Sequence, residues 1–250
     1  HLEQKMNISG ATNEALRMAK GDYVAFLDHD DVLTQDALLQ VIHAVNTSGA
    51  DIIYSDEDVI DENGNLTAPN FKPDYSPDLL LSHNYITHLV AVRRTLCEEL
   101  NGLRSDFDGA QDYDLLLRLT DVPTRRIHHI PKILYHWRQS NESTSLNPHA
   151  KPHAEKRAKE ALSETLTRRG IPGQVMGAGR PHFFEIVRTI QDKKPVTIII
   201  PFKDTGPLLE TCINTVLERT NYQHYEIIGI SNNSQSPATF SLMKDLANRD

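Results

Sequence analysis

Apolar residues in this chain come in short unbroken runs, separated by stretches where they recur every three or four positions. The runs at 23–28, 50–56, 133–138, 196–204 and 225–234 predict buried strands, and LVAVRRTL (89–96) predicts a strand running into a helix. The periodic stretches at 8–20, 34–47, 112–120, 151–170, 207–219 and 237–249 predict helices. Ser9 is the expected N-cap of the first, and Gly21 its stop. Ala37, Leu38, Val41, Ile42 and Val45 have helical spacing in the second. Residues 61–78 are turn-rich, with ENGN at 62–65 and prolines at 69, 73 and 77. Strands alternating with helices predict an α/β layer fold.

The pattern also divides the chain. Residues 1–170 form one block, 171–194 a linker containing the strand FFEIVRTI, and 195–250 a second block. That second block holds two β–α units, too little for a sheet with a core of its own.

Composition narrows the classes. With 250 residues, 39% hydrophobic and 24% charged, the chain is an ordinary globular protein of one large or two small domains. A net charge of −8 argues against a general nucleic-acid binder. Cys97 and Cys212 lie far apart and read as buried thiols of a reducing compartment. No apolar run reaches membrane-spanning length, and no secretory signal opens the chain.

The chemistry concentrates where the apolar run YVAFL stops on Asp28, His29, Asp30 and Asp31. Three carboxylates in four positions repel one another, and a divalent cation carrying phosphate oxygens would offset that cost. For Asp31 alone, capping of the following helix is the simpler reading. Asp112 opens a predicted helix, where the helix dipole stabilises a carboxylate whether or not it reacts. His128 and His129 have no metal-ligand spacing, and the charged 151–170 helix reads as a solvated face.

GDYVAFLDHDD, YSDEDVIDENGN, FKPDYSPDLLLSHNY, GAQDYDLLLRL and LYHWRQSNEST, in this order and spacing, resemble the inverting family 2 glycosyltransferases of GT-A fold. The likeness is to the bacterial multidomain enzymes that build O-antigen and other surface polysaccharides. It covers residues 7–145, and VTIIIPFKD with EIIGISNNS then resembles the opening of a second copy. The resemblance implies a mostly parallel, Rossmann-like sheet with helices on both faces, a nucleotide-sugar donor, and a saccharide or lipid-linked acceptor. It also implies Mn²⁺ or Mg²⁺ at Asp30, with Asp28 on the metal or the ribose, and His136 as a third ligand. By the same resemblance Asp112 is the general base, with Gln111 where the family has Glu, and Asp114 supports its neighbours. Arg138 and Asn13 meet the diphosphate, and Trp137, Lys72 and Asn84 shape the acceptor side. Thr12 replaces a common Arg, Ser140 a second His, and Ser231 the Asp that holds the base.

Read as modules, the chain is the back part of one such domain followed by the front part of the next. The second block is expected to complete the first block's sheet, within one chain or by exchange between two, since an apolar edge at 23–28 invites aggregation. The implied setting is cytoplasmic, at the inner face of a membrane that the longer protein touches peripherally. Two rivals remain. DHDDV (28–32) also fits a haloacid-dehalogenase-like phosphatase with Asp28 as nucleophile, and a catalytically silent scaffold or glycan-binding module keeps the same pattern.

Overall fold

The structure, a computed structural model, describes residues 6–138 and 152–248. It forms two compact units, His1–Thr189 and Ile190–Asp250.

The first unit is built on strands β1 (Tyr23–Phe26), β2 (Val32–Leu33), β3 (Ile52–Ile60), β4 (Leu66–Asn70), β5 (Val90–Arg93) and β6 (Ile127–Arg138). Their order is β1-β5-β3-β6-β2, with β4 alongside β3. The α/β layering follows the alternation of runs, but the sheet is mixed rather than mostly parallel. β3 and β6 pair in parallel, whereas β5 enters between β1 and β3 and runs against both. β3 is apolar at consecutive positions because both its faces are covered. Ile52 and Tyr54 face one core cluster with Val90 and Val92, while Ile53 faces another with Leu89 and Ala91.

Helices α1 (Ile8–Met18), α2 (Ala37–Ser48), α3 (Pro77–Ser82), α4 (Arg94–Glu99), α5 (Gln111–Leu119) and α6 (Pro152–Arg168) surround the sheet. α2 seals the Ile53 side with Ala37, Val41 and Ala44, an i, i+4, i+7 stripe. Leu38 and Ile42, which share its helical spacing, are exposed. On the other side α5 is buried along most of its length, and α6 covers it with Ala158, Ala161, Leu162 and Leu166. The charged 151–170 segment is therefore solvated on one face only.

Three local expectations are corrected. Asn7, not Ser9, caps α1, its side chain accepting from the Gly10 N–H at 2.9 Å. Ser9 is fully buried and donates to Asp108. Cys97 is a buried thiol, pushed up to about 11 by burial, but Cys212 is exposed. The segment read as a linker forms a hairpin, β7 (Gly173–Gly177) and β8 (Phe184–Arg188), with Val175 and Phe184 in the main core.

The second unit comprises β9 (Val196–Phe202), α7 (Gly206–Arg219), β10 (Tyr225–Ser231) and α8 (Pro237–Ala247). β9 and β10 pair in parallel as a two-stranded sheet. Phe202, Leu209 and Ile213 form its small core. Ile199, Ile228 and Ile230 are exposed. Among the described residues β1 pairs with β5, and β9 with β10. No helix of the described residues is long and apolar enough to cross a membrane.

Candidate active site

Strand register assembles the site. β1 and β5 are antiparallel, with Phe26 opposite Val90. Two residues further the same register sets Asp28, past the end of β1, against His88, ahead of β5. Asp28 Oδ2 and His88 Nε2 lie 4.0 Å apart. The chain then turns, with the Asp31 N–H donating to Asp28 O at 3.2 Å, and pairs Val32 and Leu33 with His136 and Tyr135. That pairing brings the Tyr135 hydroxyl onto Asp31 Oδ2, while the Arg138 N–H donates to Asp31 Oδ1 at 2.8 Å. Asp31 thus braces the turn against β6.

Among the described residues, Asp28, Asp31 and His88 each bring one ligand atom within 4.8 Å of the others. Two carboxylates and an imidazole are a donor set able to hold a divalent cation. Asp30 stands apart, its carboxylate 3.7 Å from His29 Nδ1 and its carbonyl accepting from Arg138 Nε at 2.7 Å. His136 also stands apart, paired with Asp58.

The SDED stretch of β3 carries the support. Its three consecutive acids each take one histidine: Asp56 with His129 (2.8 Å), Glu57 with His88 (3.3 Å) and Asp58 with His136. Of these imidazoles, His88 reaches the Asp28 turn. It also stacks on Tyr135, with ring centroids 4.6 Å apart and planes at 17°. Burial alone would lower its pKa, but the Glu57 contact and the charges of Glu57, Asp112 and Asp28 raise it overall.

Glu57 is itself tightly held. Its carboxylate accepts from Asn70 Nδ2 (3.1 Å), Lys72 Nζ (3.2 Å), Thr87 Oγ1 (3.1 and 3.2 Å) and the His88 N–H (3.3 Å). Burial works against ionisation, yet His88, Lys72 and Asn70 together hold the group at about 2. The Lys72 side chain is 1% exposed and also donates to the carbonyls of Ile86 (2.8 Å) and His88. Lys72 therefore pins the 86–88 loop from beneath, which separates it from any acceptor surface.

Asp112 sits in the first turn of α5 beside the same place. It shares with Asp28 and His88 a cavity of about 440 Å³ whose floor includes Phe26, Val90 and Leu116. The Asn84 amide donates to Asp112 Oδ2 at 2.9 Å, so Asn84 reaches the candidate base directly. The side chain is open to the cavity, but protein crowds it closely; that desolvation raises its pKa despite the Tyr113 N–H and His88. Asp114, fully buried, binds Arg104 Nε (3.1 Å) and Arg118 Nε (2.9 Å) and ties α5 to residues 100–104.

The remaining expected residues are placed by their own partners. Both polar atoms of Asn13 are spent on the Leu103 backbone, at 2.8 Å each. Neighbouring Gly102, at φ +69°, leaves no room for a Cβ beside that amide. Trp137 is tilted toward His88 at 6.0 Å. Ser231 ends β10 in the second unit, its Oγ accepting from the Ser234 N–H at 3.4 Å. Ser140 and the 139–145 stretch lie outside the described residues. His88 and Glu57 were not singled out from sequence. The signal that could have found them is a polar pair, Thr87-His88, opening an apolar strand just as Asp28 closes another.

Residues 1–100 match the family model described as Glycosyl transferase family 2. The O-antigen biosynthesis protein RfbC of Myxococcus xanthus is 40% identical over 94% of this chain and 18% of its own length. The uncharacterized protein y4gI of Sinorhizobium fredii is 38% identical over 99% of the chain and 28% of its own. The chondroitin synthase of Escherichia coli is 28% identical over 68% and 24%. The chain thus spans less than a third of each of these relatives. The first hundred residues thus carry the glycosyl transferase family 2 match, and the likeness to RfbC runs through nearly all of the chain.

Proposed function

We propose that this chain belongs to an enzyme that moves a sugar from a nucleotide diphosphate donor to a saccharide or lipid-linked acceptor in surface polysaccharide synthesis. The observation that carries this is the convergence of Asp28, His88 and Asp112 on one cavity at the end of β1. Asp28, Asp31 and His88 would hold a divalent cation, Mn²⁺ more readily than Mg²⁺. Such an ion offsets charge building on a leaving diphosphate. Arg138, tied to the same turn, offers its guanidinium to the diphosphate.

Asp112 is the general base. Asn84 occupies Oδ2, which leaves Oδ1 for an acceptor hydroxyl, and a raised pKa makes it a stronger base. As Asp112 takes the proton, the acceptor oxygen bonds the anomeric carbon and the bond to the diphosphate breaks on the opposite face. The nucleoside diphosphate leaves with the electron pair, and the configuration inverts. The likeness to RfbC, an O-antigen biosynthesis protein, supports the polysaccharide setting.

The test is transfer from UDP-, GDP- and dTDP-sugars with Mn²⁺ to oligosaccharide acceptors, by the full chain and by Asp112→Asn. Transfer with inversion by the wild type, lost in Asp112→Asn while nucleotide binding persists, is the expected result. Equal turnover by both removes Asp112 from the role. Trapping of a phosphoaspartate at Asp28 would turn the reading to a phosphatase.

The second unit is proposed to open another transferase domain, with Ser231 at the place of the Asp that holds the base in the family pattern. Its parallel β–α–β–α order and the exposed Ile199, Ile228 and Ile230 support a sheet that further strands cover. If the second block completes the first block's sheet, a chain ending at residue 190 should lose stability or self-associate; a monomer of equal stability would count against that completion.

A further inference from the structure

Asp56, Glu57 and Asp58 each pair with a histidine, yet only the Glu57 partner looks onto the Asp28 turn. The His88 ring is constrained on three sides. Nδ1 lies 3.3 Å from Glu57 Oε2, one face stacks on Tyr135, and Nε2 points to Asp28 Oδ2 at 4.0 Å. A separation of 4.0 Å is too long for a hydrogen bond. It leaves room for one ion that would draw both donors in toward it. We propose that Glu57 is a positioning residue: its carboxylate, held 3.3 Å from His88 Nδ1 and accepting from the His88 backbone N–H, draws Nδ1 inward by charge and so turns Nε2 outward, making the imidazole the third donor beside Asp28 and Asp31. The inference rests on the reading that Asp28 anchors a divalent cation.

The surroundings of Glu57 fit that task. A carboxylate that orients an imidazole must itself be fixed, and Asn70, Lys72, Thr87 and the His88 N–H all donate to this one carboxylate. Thr87 holds φ +30°, in the left-handed region that a β-branched residue rarely enters, with its hydroxyl on Glu57. Lys72 grips the carbonyls on either side of Thr87. The loop is thereby held in one shape, and that shape aims Nε2. A purely structural ion pair between Glu57 and Lys72 would require none of this aim. His129 shows the alternative, with Nε2 on Asp56 and Nδ1 on Asp74, so both its nitrogens are taken.

The test is Mn²⁺ binding to the full chain, followed by electron paramagnetic resonance with and without UDP. The wild type should bind and Asp28→Asn should not. Glu57→Gln, which keeps the shape but not the charge, should weaken binding by about 10–100-fold. His88→Ala should lose as much, and the Glu57→Gln/His88→Ala double variant no more than His88→Ala alone. Unchanged Mn²⁺ affinity in Glu57→Gln, or losses that multiply in the double variant, overturns the inference. Absence of binding by the wild type instead overturns the cation reading beneath it. Should Glu57→Gln not fold, the wild type still decides. With ¹⁵N-labelled histidine and ¹¹³Cd²⁺ as the probe, coupling should appear at His88 Nε2 with Nδ1 protonated. Metal on Nδ1, or none on His88, refutes the assignment.

Discussion

Removing the Lys72 ammonium is the sharpest test of how the site is supported. Its side chain is 1% exposed and that of Glu57 12%, at 3.2 Å. At an effective dielectric of about 20 two unit charges so placed attract by about 5 kcal/mol. Lys72→Met deletes that attraction, frees two carbonyls and leaves Glu57 buried with less compensation. Breaking one side of such a pair costs about 3–5 kcal/mol, a large part of the roughly 5–15 kcal/mol that holds a typical domain. Glu57→Gln strands the ammonium and should cost a similar amount. The double variant carries neither charge, so its loss should fall short of the sum by at least about 2 kcal/mol, a coupling within the range seen for contacting residues. Urea unfolding read by tryptophan fluorescence suits the experiment, because the one tryptophan, Trp137, lies 6.0 Å from His88. Strictly additive losses, or a Lys72→Met cost under about 1 kcal/mol, would refute the reasoning that this pair is a coupled, desolvated unit.

Other consequences are simpler to reach. Glu57 has its pKa depressed from 4.5 to about 2, so its contribution is complete above about 4.5 and lost as pH falls through about 2. That amounts to about 3 kcal/mol, and acid titration of stability should lose this component in Glu57→Gln. Asp112→Asn should lower kcat by about 10²–10⁴-fold with UDP affinity unchanged by calorimetry. Because the base must be ionised and its pKa is raised, wild-type kcat/KM should fall on the acid side at a pH above the ordinary aspartate value of 3.8. Asp114→Ala should destabilise by about 3–5 kcal/mol in thermal unfolding, since it strands Arg118 in the core. Leu162→Ala, fully buried where α6 packs on α5, should cost about 2–5 kcal/mol by the same measurement.

What the sequence disclosed, and what it withheld, follows from the range of the interactions involved. Strands and helices were legible because burial repeats with periods of two and 3.6, and Ile52, Ile53 and Tyr54 announce a strand covered on both faces. Asp28 was legible because charge breaks an apolar run. Asn7 displaced Ser9 as a cap because Asp108, some hundred residues on, claims the Ser9 hydroxyl. Asn13 was read for a ligand, but its amide serves Leu103, ninety residues away. Leu38 and Ile42 share the spacing of Val41 yet lie outside, because spacing does not say which side of an apolar helix meets the sheet. Each miss turns on a contact between distant segments.

The same reasoning explains why the histidine at the site escaped notice while a neighbouring one drew attention. A mostly parallel sheet would bring the ends of β1 and β6 together and make His136 the natural third ligand. The antiparallel insertion of β5 changes the geometry, since it places the residue before a strand, rather than after one, beside Asp28. His88 is that residue. β3 then assigns its adjacent acids to opposite faces of the sheet, giving Asp58 to His136 and Glu57 to His88. Thus the direction of a single four-residue strand decides which imidazole stands beside Asp28 and which carboxylate stands behind that imidazole.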